Sequence, residues 1–225
     1  MNEPIKLLDH GFVRLVDHMG SDLSIVRNAR VSYDAEWRAG EDEGKDAKLL
    51  DYLVRNRHTS PLEAVTFTFD VKAPIFVFRQ WHRHRTWSFS EISARYAQLP
   101  EEFYVPALDQ ITTQSASNKQ MRTSEQHPAA AMAQKLIREQ NESAFERYQV
   151  LIDGGIPREL ARSVLPVGTY SHMFATVNLL NLFRFLSLRL HEHSQYEIRV
   201  YAEAMLDLIQ PIVPVTVAAF RKHGL

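Results

Sequence analysis

Val65-Thr66-Phe67-Thr68-Phe69-Asp70-Val71 alternates apolar and polar side chains without a break. A period of two residues puts Val65, Phe67, Phe69 and Val71 on one face of an extended chain, so the stretch predicts a half-buried β-strand. Pro74 is expected to end it. Proline is tolerated in a first helical turn, so Ile75 to Trp81 is expected to form a short helix directly behind the strand. Helical spacing prevails elsewhere. The expected fold class is therefore α+β, one domain over residues 1–225 with a long antiparallel-sheet strand region packed against a mostly helical remainder.

Beyond that helix the chain reads Gln80-Trp-His-Arg-His-Arg-Thr-Trp-Ser-Phe-Ser-Glu-Ile-Ser-Ala-Arg-Tyr96, in which Arg83, Arg85 and Arg95, with Arg79 just before, face the single acid Glu91. Guanidinium groups suit phosphates because their planar fork donates parallel hydrogen bonds and stays charged at physiological pH. An anion site is the functional reading. Ser88-x-x-Glu91 also fits a helix capping box, and Glu91 stands four residues before Arg95 for an ordinary ion pair.

Composition limits the partners. The chain of 225 residues has 45% hydrophobic and 24% charged residues and a formal net charge of -1, values of an ordinary globular protein. Such a balance excludes the global basic field of a non-specific nucleic-acid binder, so any anion is held locally and no nucleic-acid partner is expected. The alternative from another class, a nucleic-acid module using Arg79 to Tyr96 as a basic aromatic surface, has that balance against it. Glu3 and Pro4 stand where a secretory signal would carry a basic region and an apolar run. The longest stretch without Asp, Glu, Lys or Arg, Ser163 to Phe183, is interrupted by Pro166, Gly168, His172, Asn178 and Asn181, a poor membrane span. A cytoplasmic protein without membrane association is expected. There is no cysteine, which removes thiolate zinc sites and every thiol nucleophile.

The rest of the chain supplies the expected frame. Gly11 to Met19 reads as a short strand and turn, after which Ser21 or Asp22 can cap a helix through Leu23, Val26 and Arg30. Glu36 to Lys48 is a polar loop entering a helix with Leu49, Leu50, Leu53 and Val54 on one side. His58-Thr59-Ser60-Pro61-Leu62-Glu63 is a turn, in which His58 taken alone is a surface histidine. Asp109 to His127 reads as a polar surface insertion incidental to the chemistry. Pro128 opens a helix to about Ile152, with Phe145, Tyr148 and Ile152 on its buried stripe and Gly154 and Gly155 at its end. Pro157 to Leu165 is a short helix, on which Arg162 alone reads as a surface residue. Thr176 to Leu190 is expected to be a helix of Leu and Phe crossed by a polar stripe of Asn178, Asn181 and Arg189, a face that meets a ligand, a subunit or solvent. His191 and His193, two apart on a continuing helix, would point away from each other, and no metal is expected. Gln195 to Leu225 reads as two amphipathic helices divided at Pro211 and Pro214.

Arg83-His84-Arg85-x-x-Ser88-x-Ser90-Glu91-x-Ser93-x-Arg95-Tyr96 resembles the signature of the flavin-dependent thymidylate synthases, R-H-R-x-x-S-x-N-E-x-S-x-R-Y, with Ser90 where that family usually has Asn. Ala29-Arg30-Val31-Ser32-Tyr33, the H-x-x-P-x-E turn from His58, the Ala161-Arg162-x-Val164-Leu165-Pro166 segment and the Asn178 to Arg189 segment also resemble the family, in its order. The resemblance implies methylation of dUMP to dTMP, with methylenetetrahydrofolate as carbon donor and NADPH as reductant through bound FAD, and without a protein thiol. It implies FAD contacts from Ser32, Ser60, Arg83, His84, Arg85, Glu91, Asn178 and Arg184, and nucleotide contacts from Gln80, Arg83, Glu91, Ser93, Arg95, Arg162 and Arg189. Arg189 and His58 are the expected catalytic residues, Arg189 at the pyrimidine edge and His58 near flavin and folate. The family's sites lie between chains of a homotetramer, which implies self-association here. Arg184 stands where members tend to have Asn or His, and Leu180 where an arginine is frequent; altered flavin affinity is the expected symptom. A flavoprotein of this fold that no longer methylates is the remaining alternative.

Overall fold

The computed structural model describes residues 3–225; of the N-terminal stretch read against a secretory signal, Met1 and Asn2 lie outside them. In chain order the strands and helices are β1 (Ile5–Leu7), β2 (Gly11–Met19), α1 (Asp22–Arg30), α2 (Glu43–Arg55), β3 (Thr66–Pro74), α3 (Ile75–Trp81), β4 (Ser88–Glu91), β5 (Thr112–Gln114), β6 (Arg122–Gln126), α4 (Ala130–Asp153), α5 (Arg158–Ala161), β7 (Tyr170–Asn178), α6 (Leu179–Arg189), α7 (Tyr196–Ile209) and α8 (Pro214–His223). Five strands form one antiparallel sheet in the order β1-β2-β3-β7-β4, and β5 with β6 form a separate hairpin. This is the α+β class read from the sequence.

β3 lies in the middle of the sheet, and its alternation works as expected: Phe67, Phe69, Val71 and Ala73 are buried in the core. Its partner β7 runs antiparallel from Thr66↔Asn178 to Pro74↔Tyr170, so Met173, Ala175 and Val177 join the same layer. The opposite face is polar. There Asp70, only 1% exposed, is held by the Arg14 guanidinium at 2.7 Å and by the His172 ring, the pairing a buried carboxylate requires.

Several expectations need correction. Thr176 to Asn178 finish β7, and the helix starts only at Leu179. Tyr170 to Val177 lacks the strict alternation of β3, since Tyr170 and Phe174 share a face with His172 and Thr176, so no period of two marks the strand. Gly11–Met19 is one nine-residue strand throughout. Ser88 and Glu91 belong to β4, whose backbone is satisfied by β7, so no capping box forms. The Asp109 to His127 insertion contains the β5–β6 hairpin, tied down where Arg122 donates to the buried Glu197 carboxylate at 2.8 Å. On α4, Tyr148 is fully buried, whereas Phe145 and Ile152 are only half-buried.

Pro74 is the last residue of β3 and passes straight into α3. The aromatic residues of the basic stretch anchor that junction from below. Trp81 stacks on Phe185 at 4.9 Å between ring centroids, and Trp87 and Tyr201 meet it edge-on. These rings tie α3, α6 and α7 into one cluster, and truncating one to alanine costs about 3–5 kcal/mol. The polar residues around them are thereby fixed at the ends of packed elements.

Candidate active site

Three elements converge where α3 ends. Arg189 is the last residue of α6; its Nε donates to His84 Nε2 at 3.1 Å and its Nη2 donates to the Gln80 carbonyl at 3.1 Å. Burial, and then the positive charge of Arg189, holds the His84 imidazole down to about 4. His84 is therefore neutral near pH 7 and can accept the guanidinium's hydrogen bond. Two of the five N–H donors of Arg189 are used in this way and three remain for a ligand. Burial and then the neighbouring Arg83 also push the Arg189 guanidinium below its ordinary value. Among the described residues neither Arg83 nor Arg189 has a carboxylate partner, so two like charges face each other with no counter-charge from the chain. The Gln80 side chain is fixed as well, donating from Nε2 to Gln195 Oε1 at 2.6 Å.

A second group forms at the start of α5. Arg95 Nε lies 3.4 Å from the Glu159 carboxylate, both side chains more than half exposed, and Arg162 Nε donates to the Glu159 carbonyl at 3.3 Å. Ser93 caps the turn beside it, its Oγ accepting from the Arg95 N–H at 3.3 Å. No hydrogen bond or ion pair among the described residues joins this group to Arg83 or Arg189. Glu91 lies between them in sequence but turns to β7: it accepts from Ser171 Oγ at 2.5 Å and stands 4.0 Å from His82, while Arg95 takes Glu159 instead.

The expected cofactor residues are spread around the first group. Arg85 is exposed and has no acidic partner among the described residues. Asn178 caps α6, its side chain accepting from the Asn181 N–H at 2.9 Å, and the exposed Arg184 donates to Asn181 at 3.1 Å. Ser32 donates to the Ala29 carbonyl at 3.0 Å. It lies between Val31 and Tyr33, 60% and 85% exposed, with Trp37 at 68% close behind. That is an unusual amount of uncovered aromatic surface. Ser60 opens a short 3-10 turn after the exposed His58, whose ring meets the edge of Tyr52 at 5.5 Å. Leu180, 3% exposed, belongs to the core, which explains an apolar residue there.

Sequence reading missed Gln195, Glu159 and Ser171, which hold Gln80, Arg95 with Arg162, and Glu91 respectively. Gln195, Ser171 and, for Arg95, Glu159 lie far along the chain from the residues they hold, where nothing in local spacing marks them; Glu159 is three residues from Arg162. His191 and His193 do not point apart on a continuing helix as expected: they follow the end of α6, and their rings lie 4.7 Å apart. Among the described residues no three His, Cys, Asp or Glu side chains are placed to share a metal ion.

Comparison with known proteins places the fold. Residues 14–215 match the model of the thymidylate synthase complementing protein family. Flavin-dependent thymidylate synthase from Treponema denticola is 48% identical over 225 residues, 99% of this chain and 84% of that one. The Thermus thermophilus enzyme of the same name is 48% identical over 97% of this chain and 78% of its own length. The UMP/dUMP methylase PolB from Streptomyces cacaoi, solved with 5-Br dUMP, superposes with a TM-score of 0.88 at 41% identity over 98% of both chains. The fold is thus that of a pyrimidine-nucleotide methylase class. The chain belongs to the flavin-dependent thymidylate synthase family.

Proposed function

We propose that the chain methylates dUMP to dTMP, taking one carbon from methylenetetrahydrofolate and reducing equivalents from NADPH through bound FAD, with no protein thiol. The observation that carries the reading is Arg189, held by the Gln80 carbonyl and the neutral His84 within reach of the Arg83 charge, with no carboxylate among the described residues to balance either guanidinium. Like charges near each other, Arg189 half-buried and Arg83 exposed, call for an anion. A chain without cysteine fits a route in which no enzyme sulfur adds to the pyrimidine.

The residues fit the cofactor. Unneutralised Arg83 and Arg85 suit a pyrophosphate, the exposed rings of Tyr33 and Trp37 beside Ser32 suit a flat heterocycle, and His84, Ser60, Glu91, Asn178 and Arg184 complete the FAD set. Bound FAD supplies the hydride that completes the methyl group. Gln80, Arg83, Glu91, Ser93, Arg95, Arg162 and Arg189 hold the nucleotide, the phosphate on Arg95 and Arg162 and the uracil edge on Arg189. With three donors free, the Arg189 guanidinium stabilises the negative charge that appears as N3 loses its proton and C5 attacks, an effect of about 3 kcal/mol where water is excluded. His58 lies on the flavin and folate side.

Because Arg95 and Arg162 are not joined to Arg189 within one chain, the reading includes a homotetramer in which one copy brings Arg189 and another brings Arg162. Arg162 lies between Leu160, 60% exposed, and Val164, 37% exposed, and Met132 and Leu136 on α4 are also uncovered. An apolar surface carrying the phosphate-binding arginine suits burial against a second copy. Cytoplasm, where phosphorylated nucleotides and NADPH are kept, is the expected compartment.

The test is tritium release from C5-labelled dUMP with NADPH and the folate, run beside UMP because PolB is described as a methylase of both. Flavin absorbance and release from dUMP are expected; a yellow protein that releases nothing from either nucleotide would sink the proposal.

A further inference from the structure

β7 presents Ser171, Met173, Ala175 and Val177 to one face of the sheet, and all four are buried. Three of them are apolar, and so is Ala73, the buried partner of Ser171 on β3. Ser171, 6% exposed, therefore puts a hydroxyl into a layer that is otherwise apolar. A buried hydroxyl needs a partner. Among the described residues the Ser171 side chain has a single one: its Oγ donates to Glu91 Oε1 at 2.5 Å.

The register of the sheet explains the reach. Glu91 is the last residue of β4, the edge strand, and stands directly opposite Met173. Ser171 lies two residues away on β7 and on the same face, the diagonal position that a long side chain can span. The Ile92 N–H donates to the His172 carbonyl at 2.8 Å and fixes the backbone between them. The two carboxylate oxygens are thereby made unequal. Oε1 is taken by Ser171, whereas Oε2 has no hydrogen bond among the described residues, and the one basic group within ion-pair distance of it is His82 Nε2, at 4.0 Å. That separation is beyond hydrogen-bond reach. His82 follows α3 and directly precedes Arg83, and its ring lies against Phe89 at 4.8 Å, so Oε2 approaches the end of the helix that carries Gln80. A glutamate side chain 34% exposed on an edge strand turns about its own torsions unless one oxygen is held. A hydroxyl donating to a carboxylate at this distance is a charge-assisted bond, the kind that can hold it.

We infer that Ser171 is a positioning residue for the nucleotide site: its hydroxyl fixes the Glu91 carboxylate so that Oε2 accepts a hydrogen bond from an N–H or O–H of bound dUMP. The inference rests on the proposed function, in which Glu91 contacts the nucleotide, and adds which oxygen makes that contact and what aims it. Ser171 acts through Glu91 and touches no ligand itself.

Calorimetric titration of dUMP into the flavin-loaded protein tests it, run as a double-mutant cycle over Ser171→Ala and Glu91→Ala. With Glu91 present, Ser171→Ala is expected to weaken dUMP binding by about five- to tenfold. With Glu91→Ala already in place, the same change should alter the affinity by less than about twofold, because the carboxylate it acts through is gone. Ser171→Thr keeps the hydroxyl and is expected to stay within about twofold of the parent. Parental affinity in Ser171→Ala overturns the assignment, and so does an equal loss in both backgrounds, which is the mark of a merely structural serine. A Ser171→Thr protein as weak as Ser171→Ala overturns it as well. If the parent binds flavin and dUMP but Glu91→Ala keeps the parent's affinity, the role of Glu91 fails and that of Ser171 with it, while the rest of the proposed function stands. A parent that binds neither flavin nor dUMP removes the proposed function itself.

Discussion

The two arginine groups differ in how much of their geometry the chain itself supplies. Arg189 is half-buried at the end of a packed helix, and its two hydrogen bonds go to the Gln80 carbonyl on α3 and to His84 in the turn just beyond it. Arg95 and Arg162 lie on an exposed corner, gathered around Glu159 by a 3.4 Å ion pair and a 3.3 Å bond to its carbonyl. An exposed pair of that kind contributes at most about 1 kcal/mol. The first group is built within the chain, and under the proposed function the second is completed by what docks on it. The difference suits a site that does chemistry on one side and grips a phosphate on the other.

Breaking the built half should have the largest effect. Arg189→Ala is expected to lower kcat for dUMP methylation by about 10²–10³, since it removes a fixed donor aimed at developing charge; tritium release from C5-labelled dUMP measures it. Arg162→Ala should chiefly raise the KM for dUMP, by about tenfold to a hundredfold, with kcat nearly kept. Steady-state kinetics over a wide dUMP range separate the two, and a reversed pattern would mean that the corner, not the junction, does the chemistry.

A finer distinction comes from pH. The His84 imidazole is held down to about 4 from an ordinary 6.5, so the folded protein resists protonating it. Above 6.5 the histidine is neutral folded or unfolded, and its stabilising contribution is fully present. As pH falls from about 6.5 to about 4 the unfolded chain takes up the proton first, and stability declines; below about 4 the folded histidine is protonated too and can no longer accept from Arg189. dUMP affinity should fall through the lower end of that window in the parent and much less in His84→Gln, whose side-chain oxygen remains an acceptor. Calorimetric titrations at several pH values check this smallest of the effects.

Legibility in the sequence followed local periodicity. β3 and α3 could be read because apolar positions repeat every two residues in Val65 to Val71 and because Pro74 marks the junction. β7 was misread at its C-terminal end. Asn178 looked like part of a polar stripe on one helix with Asn181 and Arg189, whereas it is the cap that stops the strand and starts α6. The hairpin carries no apolar alternation, so no period announced β5 or β6. Within the site, the signature marked Arg83, His84 and Arg85, and helix α6 marked Arg189, but their meeting depends on Trp81, Trp87 and Phe185 packing together across about a hundred residues of chain. Contacts of that range leave no local trace. Glu91 shows the same limit: four residues from Arg95, it finds Ser171 across the sheet instead.

The claim that the built half of one copy works with the exposed corner of another is tested most directly by co-expressing Arg189→Ala and Arg162→Ala chains and assaying the mixed assemblies at low dUMP, where each variant alone is nearly inactive. Random mixing of copies should leave roughly a quarter of the sites with both arginines, and activity should recover toward a quarter of the parent's. Mixed assemblies no more active than the two variants assayed separately would contradict the account.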